Sequence, residues 1–227
     1  MENKDTLIKI EEILETGSKF KVKGSENLNR CIFHIYDLIR DSYTLYKNKS
    51  YSTSLFLSIT IIEEVGKTFM GILVKDSEKI KLAQQKNCEA DCYPEKLKII
   101  KTNTATKTKK KGDPLYNHEM KHSAGLPFSV VMSDRIINSV GEEKLELMLE
   151  EAHKQGFMKK RNSALYCECD DKNITIPEDV ITKDDAKSFL LLAIESFDDN
   201  LVGLTNYSFH VSEYTDKIFN EITNFDD

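Results

Sequence analysis

The sequence predicts an all-α fold, a helical bundle into which one small β-hairpin or extended loop is inserted. Only 9 glycines and 4 prolines occur in 227 residues, so few positions interrupt a helix. Apolar residues recur at helical spacing over most of the chain. Between residues 50 and 86 they fall on every side, which is typical of a helix buried all round. The length suits a single domain over residues 1–227.

The elements follow from the periodicity. In chain order, helices are predicted at about 5–16, 26–48, 50–86, 113–127 with a continuation to about 139, 142–156, 183–202 and 205–223. Asp113 and Pro114 supply a helix start, and Thr182 with Asp185 supplies another. Residues 165–169 and 174–177 alternate around a polar turn, which predicts the hairpin. Residues 101–112 lack apolar periodicity and are predicted to form a mobile basic loop.

The net charge of −6 is unevenly distributed. Residues 96–122 contain eight lysines and two acidic residues, whereas residues 168–227 contain fifteen acidic residues and four lysines. Such asymmetry can steer a polyanion to one face of the protein, although a charged run is also often only a solvated surface. No apolar stretch reaches the length of a membrane span and no secretory signal is visible. The five cysteines are expected to be reduced thiols of a cytoplasmic protein rather than a zinc site.

The sequence Glu63-Glu64-Val65-Gly66-Lys67 places charge inside the predicted buried helix. A buried carboxylate is strongly destabilising unless it is paired or hydrogen-bonded. Glu63 and Lys67 are four residues apart and are expected to pair along the helix, and Glu64 then needs another partner. We expect Glu63, Glu64 and Lys67 to form a buried polar network tied to Arg161 or Lys121. The alternative is an ion pair with a purely structural role.

Three segments in this order resemble the AbiV family of bacterial abortive-infection proteins, within the HEPN superfamily. They are Ser54 to Lys67, His118-Glu119-Met120-Lys121, and Arg161-Asn162-Ser163-Ala164-Leu165-Tyr166. The resemblance spans residues 28–177 and implies a helical bundle, often dimeric, that acts in anti-phage defence. Many HEPN proteins are metal-independent ribonucleases with an arginine, a polar residue and then a histidine. Here Arg161 and Asn162 match, but Tyr166 stands where the histidine would fall.

Cleavage of RNA by its own 2′-hydroxyl needs a base, an acid and a cation for the phosphorane charge. Arg161 suits the phosphate because guanidinium is always charged and can bind in a bidentate fork. Tyr166 is a poor base at neutral pH, since an unperturbed tyrosine has a pKa of about 10, but with Asn162 it can orient the phosphate. The lysines of residues 96–111, above all Lys109, Lys110 and Lys111, are expected to capture the RNA backbone.

His118 and His122 lie on one predicted helix face, with Lys121 beside them, and either histidine can supply the missing proton transfer. The pair can also be a surface or interface feature, and as metal ligands the two lack an evident third partner.

Two functions fit this pattern. The favoured one is an RNA-cleaving effector that arrests the infected cell, and the alternative is a non-catalytic module that binds RNA, a nucleotide or a protein. The expected partners are RNA, a phage-encoded activator or antitoxin protein, and a second copy of the chain in a homodimer joined through the apolar stripe of residues 28–45. Neither DNA, a membrane, a metal nor a cofactor is expected.

Overall fold

The computed structural model describes residues 20–85, 118–126, 133–154, 157–170 and 173–224. Within these residues the fold is helical with one two-stranded sheet, as predicted. The elements are α1 (Gly24–Lys47), α2 (Tyr51–Gln85), α3 (His118–Gly125), α4 (Asp134–Val140), α5 (Glu142–Lys154), α6 (Met158–Ser163), β1 (Glu168–Cys169), β2 (Ile174–Thr175), α7 (Pro177–Val180), α8 (Lys183–Leu201) and α9 (Asn206–Thr223). The predicted helix at 5–16 and the loop at 101–112 lie outside the described residues.

Helix α2 lies at the centre of the fold and packs against α1, α3 and α8. Its apolar side chains are fully buried on several faces, as Leu55, Ile59, Ile61 and Ile62 show. The prediction of a central, largely buried helix is therefore confirmed over residues 51–72, where the structure describes the side chains. None of the described helices is long and apolar enough to cross a membrane.

The apolar stripe of α1 is part of the same core. Leu28, Ile32, Ile35 and Ile39 are buried within the chain, because α1 packs against α2, α8 and α9. This stripe is not a free surface, so the expectation that it joins two copies is wrong. Dimer formation by another surface stays a prediction.

The predicted hairpin is present between residues 165 and 176. Strands β1 and β2 are antiparallel, with Glu168 opposite Thr175 and Cys169 opposite Ile174. The short helices on either side of it, α6 and α7, were not predicted, because six and four residues are too few to show helical periodicity.

The predicted start of α8 is also confirmed. Thr182 Oγ accepts a hydrogen bond from the amide of Asp185 at 3.0 Å, and Asp185 Oδ2 accepts one from the amide of Thr182 at 3.1 Å. This reciprocal arrangement is a capping box, which satisfies two amides that the helix leaves unpaired.

The acidic C-terminal helices are partly neutralised by one arginine of α4. Arg135 donates to Glu195 at 2.9 Å, to Asp198 at 2.6 Å and to Asp216, and its guanidinium lies over the ring of Phe219. Three of the fifteen acidic residues in this half therefore hold α4, α8 and α9 together rather than repel a polyanion.

Candidate functional site

One buried carboxylate organises the candidate site. Glu63 projects from the middle of α2, and its neighbours Ile59, Ile62 and Val65 are fully buried. Glu63 itself is only 4% exposed. A charge at such a position persists only if donors surround it.

Four donors from two other helices surround this carboxylate. His118 Nδ1 lies 2.9 Å and His122 Nε2 lies 3.2 Å from Glu63 Oε1. Lys121 Nζ lies 3.2 Å from Oε2, and Arg161 Nε lies 3.8 Å from Oε1. We refer to these five residues as the Glu63 cluster. It joins α2, α3 and α6, and it contains both Lys121 and Arg161, the two cations proposed from the sequence.

The expected pairing within α2 is wrong. Lys67 Nζ binds Glu64 at 3.0 Å, three residues away, and not Glu63. Both residues of this pair are half-buried at the surface of the helix. Glu64 and Lys67 therefore lie outside the Glu63 cluster, because α3 supplies Glu63 with closer cations than its own helix does.

The donors determine the ionisation of Glu63. Burial alone would raise the pKa of this carboxyl, but the contacts from His122, Lys121 and His118 outweigh burial and hold its pKa at about 2. Glu63 is therefore a carboxylate at neutral pH, and each contact to it must come from a donor.

His122 has no nitrogen available to a substrate. The ring is fully buried and packs against Phe157, whose amide donates to His122 Nδ1 at 3.3 Å. A neutral ring accepting at Nδ1 carries its proton on Nε2, which faces Glu63, although the alignment falls short of a full hydrogen bond. Burial lowers the pKa of His122, and Glu63 opposes this only in part. Of the two histidines proposed for proton transfer, the structure therefore favours His118.

His118 is held in the opposite orientation. Because Glu63 is ionised, the contact of 2.9 Å requires that His118 Nδ1 donates its proton. In the neutral ring this leaves a lone pair on Nε2, and the side chain is 39% exposed. A carboxylate that orients a histidine in this way produces a base whose free nitrogen is presented to solvent.

Arg161 has few contacts with the protein. Its guanidinium lies 4.7 Å above the ring of Phe56, and its Nε atom is buried without a hydrogen bond. The contact to Glu63 is the longest in the cluster, and the side chain is 23% exposed. Among the described residues, no acceptor binds the terminal nitrogens of this side chain.

The remaining residues proposed from the sequence do not enter the cluster. Asn162 and Tyr166 are exposed, Tyr166 by 59%, and the backbone carbonyl of Asn162 accepts from the amide of Tyr166 at 2.9 Å. Neither side chain hydrogen-bonds to another described residue. Lys109, Lys110 and Lys111 lie outside the described residues.

Two glycines missed by the sequence reasoning let α3 approach α2. A Cβ atom on Gly66 would lie 1.9 Å from the carbonyl oxygen of Lys121, and one on Gly125 would lie 2.6 Å from the carbonyl oxygen of Ile62. The two backbones therefore meet directly. Gly66 within a buried helix was a signal that could have indicated this crossing.

Hydrogen bonds from a third helix, α8, hold the C-terminal end of α3 in place. Gly125 O accepts from Ser196 Oγ at 2.6 Å and from Asn200 Nδ2 at 3.0 Å, both on α8. Since α3 has only eight residues, these contacts and the glycine crossing determine where His118 and Lys121 lie.

The donor chemistry of the Glu63 cluster suits an anion better than a metal ion. The oxygens of the carboxylate already face four donors, and among the described residues no group of three or more His, Cys, Asp or Glu side chains has an arrangement that could hold a metal ion. Cys31, Cys167 and Cys169 are free thiols. Cys88 and Cys92 lie outside the described residues.

A family comparison covers this whole site. The model of the HEPN family described as AbiV matches residues 26–197, about three quarters of the chain. The match contains all five residues of the Glu63 cluster and extends into α8, further than the resemblance read from the motifs. No curated protein and no solved structure gives a significant match.

Proposed function

Because the chain belongs to the AbiV family of abortive-infection HEPN proteins, we propose that it is a metal-independent endoribonuclease that cleaves RNA in the cytoplasm and arrests the infected bacterial cell. The observation that carries this proposal is the Glu63–His118 contact of 2.9 Å beside Arg161. It combines an oriented base with a guanidinium whose only carboxylate contact among the described residues is the 3.8 Å approach to Glu63.

His118 acts as the base in this proposal. With Nδ1 donating to Glu63, Nε2 accepts the proton of a 2′-hydroxyl, and the 2′-oxygen then attacks the adjacent phosphorus. The bond from phosphorus to the 5′-oxygen breaks, and the leaving oxygen takes a proton from water. Glu63 stabilises the imidazolium that forms. General base catalysis of this kind contributes a factor of about 10²–10⁴ in rate. His118 thus performs the role for which a histidine at position 166 would be expected.

Arg161 binds the scissile phosphate. Counting only Glu63, Lys121 and Arg161, the Glu63 cluster contains one negative and two positive charges. One positive charge therefore remains to bind an anion. The contact of Arg161 with Glu63 is the longest in the cluster, at 3.8 Å. The terminal nitrogens of its guanidinium have no acceptor among the described residues. Its fork matches two phosphate oxygens, and it stabilises the charge of the phosphorane.

The other residues of this proposal contribute weaker contacts to the RNA. Tyr166 and Asn162 orient the RNA by stacking or hydrogen bonding. The lysines of residues 96–111, including Lys109, Lys110 and Lys111, attract the backbone in a salt-dependent way.

The experiment measures cleavage of a fluorescent single-stranded RNA by purified protein in the presence of EDTA. Arg161→Ala and His118→Gln should each lower the rate at least a hundredfold, while Tyr166→Phe should retain most of it. Lys159→Ala is the matched control for Arg161, since Lys159 is an exposed cation of the same helix. His210→Gln is the control for His118. An RNA with a 2′-deoxy sugar at the cleavage site should stay intact.

A different result would support the binding module. If Arg161→Ala protein remained folded by circular dichroism and still arrested cells as wild type does, cleavage at Arg161 would not be the cause of toxicity. Cleavage that EDTA abolished would contradict the metal-independent mechanism.

A further inference from the structure

One face of the β-hairpin carries apolar side chains and thiols that are exposed to solvent. Side chains alternate between the two faces of a strand, so the pairing of Cys169 with Ile174 places both on one face. Continued by two residues, the same register brings Cys167 opposite Ile176. Glu168 and Thr175 occupy the other face, where Glu168 accepts a hydrogen bond from Ser163 of α6. We refer to Cys167, Cys169, Ile174 and Ile176 as the hairpin face.

The hairpin face points to solvent. Ile174 is 71% exposed and Ile176 is 42% exposed, and both thiols are exposed and free. The neighbouring Leu165 and Val180 are also exposed apolar residues. Scattered apolar side chains are ordinary on a protein surface, whereas a contiguous patch indicates an interaction site.

Acidic residues lie next to the hairpin face in the chain, with Glu168 on the other face of β1 and with Glu178 and Asp179 in α7, which follows β2. Glu168, Glu178 and Asp179 are exposed, and their contacts are with the neutral donors Ser163, Ser52 and the amide of Ile176. No cation of the described residues forms a salt bridge with any of the three. A phosphate backbone would be repelled here, so the hairpin face differs in chemistry from the Glu63 cluster.

We propose that the hairpin face binds an extended segment of another protein in which basic residues alternate with aliphatic ones. Among the described residues, neither strand has a second neighbour, so the sheet can accept a further strand through backbone hydrogen bonds. In an added strand, aliphatic side chains on one face would cover Ile174 and Ile176. The alternate basic side chains would reach the acidic residues around them, and complementary charge selects such a partner.

The hairpin is well placed to hold such a partner next to the candidate site. Helix α6 and helix α7, on either side of it, both pack against α2, and Ser52 of α2 donates to Glu178 at 3.2 Å. Arg161 lies on α6, only seven residues before β1. A segment bound here would therefore be held by elements that pack on the same helix as Glu63.

The test uses the full chain under reducing conditions and a fluorescent peptide, Lys-Ile-Lys-Ile-Lys-Ile, followed by fluorescence anisotropy. A peptide of the same composition in two blocks, Lys-Lys-Lys-Ile-Ile-Ile, controls for net charge. The alternating peptide should bind at least tenfold more tightly. The double variant Ile174→Ser/Ile176→Ser should lose at least tenfold in affinity, and Glu168→Gln should lose about two- to threefold.

Phe209→Ser is the matched control, because Phe209 is an exposed apolar side chain on α9, and this variant should bind as wild type does. All of these positions are exposed, so the variants should unfold at the wild-type temperature. Equal binding of the two peptides, or unchanged binding by the double variant, would overturn the proposal. Loss of RNA binding by the double variant would make the face an RNA surface instead. If light scattering gave the double variant a smaller molecular mass than wild type, the hairpin face would instead be an interface between two copies of the chain.

Discussion

The contact between Gly66 and the carbonyl of Lys121 predicts a large effect of the smallest substitution. In Gly66→Ala the new Cβ would lie 1.9 Å from that oxygen, so α3 must withdraw by about 1.5 Å to reach an ordinary contact distance. The contact between His118 and Glu63, now 2.9 Å, would then open to roughly 4.4 Å, which is beyond hydrogen-bonding range. The contact between Lys121 and Glu63 would open in the same way.

The loss of these two contacts lowers the free energy of unfolding. A hydrogen bond to a charged group stabilises a fold by about 1.5–3 kcal/mol, and alanine in place of glycine within a helix returns about 1 kcal/mol. Loss of both contacts costs about 3–6 kcal/mol, so after the gain in helix propensity we expect a net destabilisation of about 2–5 kcal/mol for Gly66→Ala. In a chain of this size that lowers the midpoint of thermal unfolding by roughly 4–20 °C. RNA cleavage should fall with it, because His118 is no longer held by Glu63.

Gly71→Ala is the matched control on the same helix. A Cβ at Gly71 would meet the side chains of Phe20 and Val22 rather than backbone, and Phe20 is only half-buried and can shift. Both variants gain the same helix propensity, so the difference in unfolding temperature measured by circular dichroism isolates the α2–α3 crossing. A Gly66→Ala protein as stable and active as Gly71→Ala would refute the reasoning.

Two further predictions concern the supports of the Glu63 cluster. Because the folded-state pKa of Glu63 lies near 2, below its ordinary value of 4.5, its ionisation stabilises the fold by about 3 kcal/mol above pH 4.5 and this contribution is lost as the pH falls towards 2. Urea unfolding should show Glu63→Gln well below wild type at pH 7, with the difference shrinking below pH 4.5 and closing only near pH 2. A constant difference over this range would argue against this pKa. Asn200→Ala removes one donor from the carbonyl of Gly125 and should lower the free energy of unfolding by about 1–2 kcal/mol, with reduced cleavage, whereas an effect on stability alone would show that α3 keeps its position without this contact.

The sequence predicted the architecture because the relevant signals are local. The apolar residues on every side of α2, the capping box at Thr182 and the alternation around residue 174 each depend on a few neighbouring positions. The buried carboxylate was also recognisable, because Glu63 interrupts an apolar run.

The partners of that carboxylate were not predictable in the same way. Helical geometry allows Lys67 to reach Glu63 or Glu64, at four or three residues. The outcome depends on α3, which supplies Glu63 with donors from more than fifty residues along the chain. The same limit applies to Arg135, whose three acidic partners lie on two helices far from it in sequence.

In the proposed mechanism, the positions of His118 as base and Arg161 as phosphate-binding residue explain how a site can tolerate Tyr166 where a histidine is expected. A histidine at position 166 would be positioned by its own turn, a few residues after Arg161. His118 instead comes from α3, and Glu63 contacts both it and Arg161. The relative position of the two groups therefore depends on the backbone contact at Gly66 and Gly125 and on the donors of α8. In this arrangement the residues that maintain catalysis include glycines and serines with no chemical role, because they set the distance from α3 to α2.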